Sequence, residues 1–260
     1  MPRFSANISM LFTEEPFLHR IGLAKAAGFE GIEIQFPYEY SPYAIKAALD
    51  DAELPLVLIN CPAGDLMTGG QGCAAVPGRE EEFKLALKEA YDYVSILNPL
   101  AVNFLAGCPE PALDRHVCLA VLESNLHLAF DIFAGLDVRL VTEAINTVDM
   151  PNFLLSKSQE VVDLIGRLAD KNLYLQYDCY HMQRMEGDLQ RRLLEIIDLV
   201  GHIQIADVPG RMEPGSGKID FKNLFSAIDA SDYDGFVGAE YHPSQKTEST
   251  FGWLVGNSAP

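Results

Sequence analysis

Four residues that could bind a cation stand late in separate apolar stretches of the 260-residue sequence. Glu143 lies in VTEAI, Asp178 closes LYLQYD, Gln204 lies in HIQIAD and Glu240 lies in VGAEY. Burying an acid in such surroundings is costly unless a positive charge compensates it. The set offers only oxygen ligands, which suits a hard divalent ion, Mg²⁺ or Mn²⁺, better than zinc. The pattern therefore predicts a metal site, provided that the fold brings these four stretches together.

Short apolar stretches recur along the whole chain, each followed by a stretch of helical length. Eight of them are predicted strands: 4–11, 31–36, 56–61, 101–107, 138–145, 173–178, 202–208 and 236–241. Strands that alternate with helices indicate parallel pairing with right-handed crossovers, and eight of them can close a barrel. We therefore predict an α/β fold in which residues 1–260 form a single (β/α)8 TIM-barrel domain, with an open doubly wound sheet as the alternative. Active sites of such barrels lie at the carboxyl ends of the strands, where the four residues stand.

Local signals support the alternation of strands and helices. Ser41 followed by Pro42 is an N-cap with proline at the first helical position. Ser156, with Gln159 three residues later, matches a capping box. GFEGIEI (28–34) and DYDGFVG (232–238) share one order of turn residue, aromatic, acid, glycine and strand. Such an echo is expected where one unit repeats at a helix-to-strand joint.

Several stretches resemble the hydroxypyruvate isomerase family of xylose-isomerase-like barrels. They are ANISMLFTE, GFEGIEIQFPYEY, PGRE at 77–80, VTEAIN and, most specifically, HIQIADVPGRMEPGSGKIDF. Four motifs are similar to the pattern of the wider superfamily: the strand-end Glu, the DxxH from Asp178 to His181, the HIQ and the AEY. The resemblance covers nearly the whole chain. It implies a metal-dependent isomerase that interconverts hydroxypyruvate and tartronate semialdehyde, with a small hydroxy-oxo acid as substrate.

The resemblance also implies roles for single residues. The four strand-end residues would bind the metal, and Glu143 and Glu240 would also transfer the proton between the two carbons. His181 and Arg211 would line the substrate site. Because the carboxylate of the substrate needs a cation or a cluster of N–H donors, Arg211 is our first candidate to bind it, His181 the second and Lys157 the third.

The third ligand position departs from the pattern of related enzymes. Ketohexose 3-epimerases usually carry His there, whereas this chain has Gln204. A Gln carbonyl keeps the site all-oxygen, which favours Mg²⁺ over softer metals and favours an isomerase over an epimerase. A 2-oxo-tetronate isomerase and a ketose 3-epimerase stay as alternative activities. His202, two residues earlier, is predicted to be a core histidine bonded to a neighbouring group.

Three further polar residues have structural predictions. Glu33 and Gln35 alternate with isoleucine in the second strand, which predicts a polar network in the barrel lumen. Cys179 follows the predicted ligand of its strand directly, so alternation points it away from the ligand face and predicts a packing role.

Two segments outside the strands are predicted to cover the barrel. Residues 61–80 are glycine-rich but lack the lysine and the spacing of a phosphate-binding loop, so we predict a mobile lid that excludes water. Phe251 and Trp253 near the C-terminus are predicted to cover a barrel face or an interface.

Composition limits the classes of function. The formal net charge of −18 repels phosphate backbones and anionic membranes, which argues against both as partners. A metal-dependent nuclease on the same barrel would need a basic surface and more histidines than the six present. A catalytically silent sugar-binding barrel is disfavoured because the acids are intact at all matching positions.

The five cysteines form no CxxC pair and the N-terminus fits no signal peptide, so we predict a cytoplasmic protein with reduced thiols. Homo-oligomerisation stays open.

Overall fold

A computed structural model describes residues 1–168 and 172–256, without the side chains of residues 255 and 256. The described residues contain eight strands in one closed parallel barrel, in which β8 pairs with β1 as well as with β7. The closure confirms the predicted (β/α)8 barrel, and the open sheet is wrong because it would leave two unpaired edges. The strands are β1 (Arg3–Asn7), β2 (Gly31–Ile34), β3 (Leu56–Asn60), β4 (Ala101–Phe104), β5 (Arg139–Glu143), β6 (Leu173–Asp178), β7 (Val200–Ile205) and β8 (Phe236–Ala239).

Helices follow every strand and surround the barrel. In the described residues they are α1 (His19–Ala26), α2 (Pro42–Ala52), α3 (Glu80–Leu97), α4 (Arg115–Phe133), α5 (Ser158–Arg167), α6 (Cys179–Met185), α7 (Leu189–Glu195), α8 (Phe221–Asp229) and α9 (Gly252–Gly256).

Helix α2 begins at Pro42 after Ser41, as predicted. The capping box predicted for α5 lies one residue too early, because Glu160 accepts the backbone N–H groups of Ser156 and Lys157. A carboxylate is the stronger acceptor near the positive end of a helix, so it takes the place predicted for the neutral amide of Gln159.

Several strands are shorter than the apolar stretches that predicted them. Strand β1 ends at Asn7, and the buried Ile8 and Leu11 belong to the loop that follows it. Strand β8 ends at Ala239, so Glu240 stands just beyond it. The apolar stretches run past the strands because loops at the carboxyl end of the barrel bury side chains of their own.

Polar residues line the lumen toward the carboxyl ends of the strands. Ala101, Val141 and Phe236 belong to a small apolar cluster that is separate from the main core. Because side chains on one face recur every second residue, the next inward positions on β4 and β5 are Asn103 and Glu143. The strand sequences therefore place a polar layer above an apolar floor.

The lower part of this polar layer is organised by Glu33, which is fully buried. Ser5 Oγ donates to Glu33 Oε1 at 2.6 Å, Gln204 Nε2 donates to Oε2 at 2.9 Å, and His202 Nε2 lies 2.9 Å from Oε1. Burial alone would raise the pKa of Glu33, but the charge and hydrogen bond of His202 and the other donors hold it below its usual value. Both the lumen network around Glu33 and the core role of His202 are confirmed.

Gly238 makes room for the Glu33 carboxylate. A Cβ at residue 238 would lie 1.9 Å from Glu33 Oε1 and 2.6 Å from its Cδ. We expect Gly238→Ala to lower the free energy of unfolding by about 1–3 kcal/mol, as for other overpacked cores, measured by urea denaturation. Gly166→Ala is the matched control. A Cβ at residue 166 meets no atom within 4 Å, and the change replaces a glycine within a helix by a better helix former. Equal losses in the two variants would contradict the expectation.

The segment 61–80 is held closely in the structure. The Arg79 guanidinium donates to Asp65, to Glu82 and to the carbonyl of Gly72. Asn125 on α4 donates to the carbonyl of Ala74 within the same segment. The mobility predicted for this segment stays a prediction. In the structure, these hydrogen bonds hold the segment against α3 and α4.

The aromatic residues near the C-terminus cover one outer face of the barrel, as predicted. The ring of Trp253 lies 5.1 Å from that of Phe4 on β1, and the ring of Phe251 lies 5.2 Å from that of Phe29. Cys179 is fully buried at the start of α6, which confirms its packing role.

Helix α4 is the one helix in the described ranges that is long and apolar enough to cross a membrane. It packs beside α3, and Leu122, Leu126 and Phe133 on it are buried in the main core. Helix α4 is therefore a core helix of a globular protein.

Candidate active site

The structure brings the four strand-end residues to one mouth of the barrel. Glu143 and Asp178 end β5 and β6, Gln204 is the penultimate residue of β7, and Glu240 follows β8 directly. The parallel register sets Asp178 beside Gln204, and Gln204 beside Gly238. All four side chains belong to residues that are at most 5% exposed.

A group of possible metal ligands forms at this mouth. One ligand atom each from Glu143, Asp178 and His181 lies within 4.8 Å of the others. His181 Nε2 is 3.4 Å from Asp178 Oδ2 and 3.7 Å from Glu143 Oε1. The buried triad is consistent with a divalent metal site. It contains two of the predicted ligands together with the residue predicted to contact the substrate.

The hydrogen bond from Asn146 determines the tautomer of His181. Asn146 Oδ1 accepts the backbone N–H groups of Val148 and Asp149 at 3.1 and 2.9 Å, so the amide orientation of its side chain is fixed. Its Nδ2 therefore faces His181 Nδ1, at 2.6 Å. Because Nδ1 accepts this hydrogen bond, the proton of a neutral His181 ring sits on Nε2.

The His181 ring is neutral in this environment. Burial, and then the charge of Arg211, hold the pKa of His181 well below its usual value. Its Nε2–H is directed toward Asp178 and Glu143 and has no lone pair to offer a metal. The ring is therefore better suited to donate a hydrogen bond to an oxygen of a substrate than to bind the ion.

Glu143 is anchored through one of its oxygens. Oε2 accepts hydrogen bonds from Asn103 Nδ2 at 3.2 Å and from Gln176 Nε2 at 3.0 Å. Oε1 faces the ring of His181 instead. One oxygen is thus held in place by two amides, and the other is directed to the centre of the mouth.

Glu240 is held in the same manner from the opposite part of the barrel. Oε1 accepts hydrogen bonds from Asn7 Nδ2 at 2.9 Å and Gln35 Nε2 at 2.8 Å. Oε2 accepts a hydrogen bond from Arg211 Nη2 at 2.5 Å. Gln35, predicted as part of a structural network in the lumen, therefore reaches the site itself.

Gln204 joins the site to the network beneath it. Its Oε1 accepts a hydrogen bond from Gln176 Nε2 at 2.7 Å, while its Nε2 donates to Glu33. A carbonyl oxygen has two lone pairs, so one stays free at this oxygen for a cation. The role of Gln204 as a ligand stays a prediction.

Arg211 lies among the acids. Besides its bond to Glu240, its Nη2 is 3.4 Å from Asp178 Oδ2, and its guanidinium carbon lies 5.3 Å from the centre of the Tyr180 ring. Its Nε is buried without a hydrogen-bond partner among the described residues. Lys157, the third candidate for the substrate carboxylate, is an exposed residue that precedes α5.

The charges at the mouth leave an excess of negative charge. Burial first, and then the charges of Glu240 and Asp178, raise the pKa of Glu143 well above its usual value. Burial also raises the pKa values of Asp178 and Glu240, although Arg211 opposes the shift at both. Three carboxylates face one guanidinium, so two negative charges are uncompensated when all three are ionised. A divalent cation would balance them, and the oxygen donors fit such an ion.

Sequence reasoning missed the amides that orient the two glutamates: Asn7, Asn103 and Gln176. For Gln176 and Asn103 a signal existed, because each occupies an inward position on a strand by simple alternation. For Asn7 the signal was weaker, since its partner Glu240 is 233 residues away in the sequence. Asn146 carried no signal, because its role depends on a turn after β5.

Comparisons with known proteins agree with this architecture. The profile of the xylose isomerase-like TIM barrel family matches residues 21–255. The hydroxypyruvate isomerase of Escherichia coli strain K12 is 42% identical over 254 residues, which cover 98% of each chain. The chain belongs to the hydroxypyruvate isomerase family. The resemblance predicted from HIQIADVPGR and the other stretches is confirmed.

A relative named for a different substrate is also similar to this chain. The 2-oxo-tetronate isomerase of Cupriavidus necator is 39% identical over 254 residues, again 98% of each chain. The protein is therefore an isomerase of the hydroxypyruvate and 2-oxo-tetronate isomerase family. The crystal structure of AP endonuclease, family 2, from Brucella melitensis has a TM-score of 0.95 and 38% identity, covering 98% of this chain and 99% of that one.

Proposed function

We propose that the protein interconverts hydroxypyruvate and tartronate semialdehyde, through an enediol, at the carboxyl-end mouth of the barrel. One observation carries the proposal. Glu143 and Glu240 are each anchored through one oxygen, and their second oxygens meet a neutral histidine and an arginine at a common centre. In our proposal these two glutamates are the proton-transfer groups, and the small acid binds between them.

The oxygen-rich donor set would hold a divalent metal, with Mg²⁺ preferred and Mn²⁺ as the second choice. The proposed ligands are Glu143, Asp178, Gln204 and Glu240. When bound, the ion supplies positive charge that stabilises the oxygen of the carbonyl next to the carbon that loses its proton. The uncompensated negative charge of the site supports this assignment.

The proposed reaction moves a carbonyl from C2 to C3 of the substrate. One glutamate takes a proton from C3, the C–H electron pair forms the C2=C3 bond of the enediol, and the C2 oxygen gains a proton. A proton then returns to C2 and the C3 hydroxyl loses its own, which leaves the aldehyde. Burial raises the pKa values of Glu143 and Glu240, which makes it easier for either carboxyl to hold a proton before it is returned. The Nε2–H of His181 can donate to an oxygen of the substrate throughout.

We propose that Arg211 binds the substrate carboxylate, since its buried Nε has a proton to donate and no acceptor among the described residues. We expect Arg211→Ala to raise KM by about 10- to 150-fold, because a hydrogen bond to a charged group contributes about 1.5–3 kcal/mol. Initial rates over a range of substrate concentrations measure the change. Arg191→Ala is the control, because the side chain of Arg191 is 61% exposed on α7. An Arg211→Ala enzyme with an unchanged KM would refute this role.

A panel of substrates tests the proposed activity. The metal-loaded protein is assayed with hydroxypyruvate, 2-oxo-tetronates and ketohexoses, and we expect kcat/KM to be highest for hydroxypyruvate. A higher value for a 2-oxo-tetronate would replace hydroxypyruvate with the four-carbon acid, which the Cupriavidus relative supports. Turnover of ketohexoses alone would establish a 3-epimerase instead.

Two broader expectations belong to the same proposal. The name of the Brucella protein describes an endonuclease. We do not favour a nuclease activity for this chain, because its formal charge of −18 repels the phosphate backbone of a nucleic acid. The five cysteines are free thiols and four of them are buried, which supports a reducing, cytoplasmic compartment.

A further inference from the structure

Asp207 lies at the start of the loop that joins β7 to α8, and its carboxylate is surrounded by backbone donors. It is 1% exposed. Oδ1 accepts the N–H groups of Val208, Lys218 and Ile219 at 2.8, 2.9 and 3.0 Å. Oδ2 accepts two more, from Gly215 at 3.0 Å and Gly217 at 2.7 Å. One buried side chain therefore ties both ends of this loop together.

The backbone closes tightly around this carboxylate. Asp207 forms an antiparallel bridge with Met212, and Asp207 N donates to the Met212 carbonyl at 2.8 Å. A Cβ at Gly217 would lie 1.9 Å from the carbonyl oxygen of Val208 and 2.8 Å from Asp207 Oδ1. The Gly217 backbone therefore packs directly against the Val208 carbonyl and the Asp207 carboxylate.

The hydrogen bonds to Asp207 close the backbone of this loop into a ring around its carboxylate. Arg211 lies within the part of the loop that this ring of backbone encloses. Its φ angle is +54°, a left-handed conformation that a non-glycine residue keeps only when its surroundings impose it. The N–H of His242 donates to the Arg211 carbonyl at 2.8 Å and fixes the backbone from the other side. The side chain then extends over Tyr180 to Glu240 and Asp178.

We propose that Asp207 is the positioning residue for Arg211. Its carboxylate folds the β7–α8 loop into the ring that imposes the left-handed conformation of Arg211, and through it the place of the guanidinium over the acids. Asp207 touches neither the substrate nor the acids in this role. One consequence rests on the proposed function, namely that affinity for an acid substrate depends on Asp207.

Asp207→Asn is the direct test. The amide nitrogen replaces one acceptor oxygen with a donor that faces two or three backbone N–H groups, so the ring should open. We expect KM for the acid substrate to rise at least tenfold in the wild-type background and less than twofold in the Arg211→Ala background. Asp220→Asn is the matched control: it lies at the end of the same loop and caps α8, where Asn serves as well as Asp. An equal rise of KM in both backgrounds, or none in the first, would overturn the proposal.

Trypsin digestion gives a readout that does not depend on activity. We expect cleavage after Arg211, followed by mass spectrometry, to be at least tenfold faster in Asp207→Asn than in the wild type and in Asp220→Asn. If Arg211→Ala leaves KM unchanged, the proposed role of Arg211 in substrate binding fails. The digestion still tests whether Asp207 positions Arg211. Unchanged cleavage would reject the positioning. Gly217→Ala, which presses on the same ring, replaces Asp207→Asn in both measurements if the latter does not fold.

Discussion

Replacing Glu240 or Glu143 with Gln should lower kcat by about 10²- to 10⁴-fold, the range of a lost general acid or base. Gln keeps an oxygen that can accept the amide hydrogen bonds of Asn7 and Gln35, or of Asn103 and Gln176. Gln can no longer take up and return a proton, and at residue 240 it also no longer accepts the hydrogen bond of Arg211 Nη2. We therefore expect the main loss to be in kcat.

Proton exchange identifies which glutamate removes the C3 proton. In D₂O, the variant that lacks this base should no longer exchange the C3 hydrogen of the substrate, followed by NMR. The variant that lacks the other acid should still exchange it. Glu81→Gln is the control, since that side chain is 89% exposed on α3. Near-native turnover in both site variants, with their metal content unchanged, would show that neither glutamate transfers the proton.

Removal of the divalent ion should have an effect of comparable or larger size. We expect EDTA followed by dialysis to lower turnover by about 10³-fold or more, because the ion contributes several kcal/mol to charge stabilisation. Addition of Mg²⁺ should restore it, and Mn²⁺ should restore it in part. The same ions should raise the melting temperature, since a ligand that binds only the folded protein stabilises it.

Variants of the proposed ligands connect the activity to the site. Asp178→Asn and Gln204→Leu should each weaken the rise of the melting temperature with Mg²⁺, while Glu81→Gln should not. Full turnover in EDTA after the metal content has fallen to background would exclude the metal from the reaction. An Mg²⁺ response that is identical in the wild type and both ligand variants would place the ion elsewhere.

The architecture of this protein could be predicted from the sequence because its signals are local. Eight apolar stretches separated by helical ones require a parallel sheet, and the same alternation places Glu143 and Asp178 at strand ends. The start of α5 was predicted less well than that of α2. The competition between Gln159 and Glu160 for the cap of α5 depends on which side chain reaches the backbone, and this is decided by the folded turn.

The working parts of the site depend on closure of the barrel. Asn7 reaches Glu240 because β1 pairs with β8, and Glu33 meets His202 and Gln204 because all three face one lumen. These contacts join residues far apart in the chain, and no local periodicity encodes them.

The sequence by itself determined a (β/α)8 barrel of the hydroxypyruvate isomerase family, with acids and an amide at the ends of four strands. The tertiary structure alone decided which oxygen of each glutamate is anchored, which ring nitrogen of His181 carries the proton, and where Arg211 stands. Alternation along a strand selects the face of a side chain, whereas distances and hydrogen-bond partners follow from strands and loops that meet only after the barrel has closed.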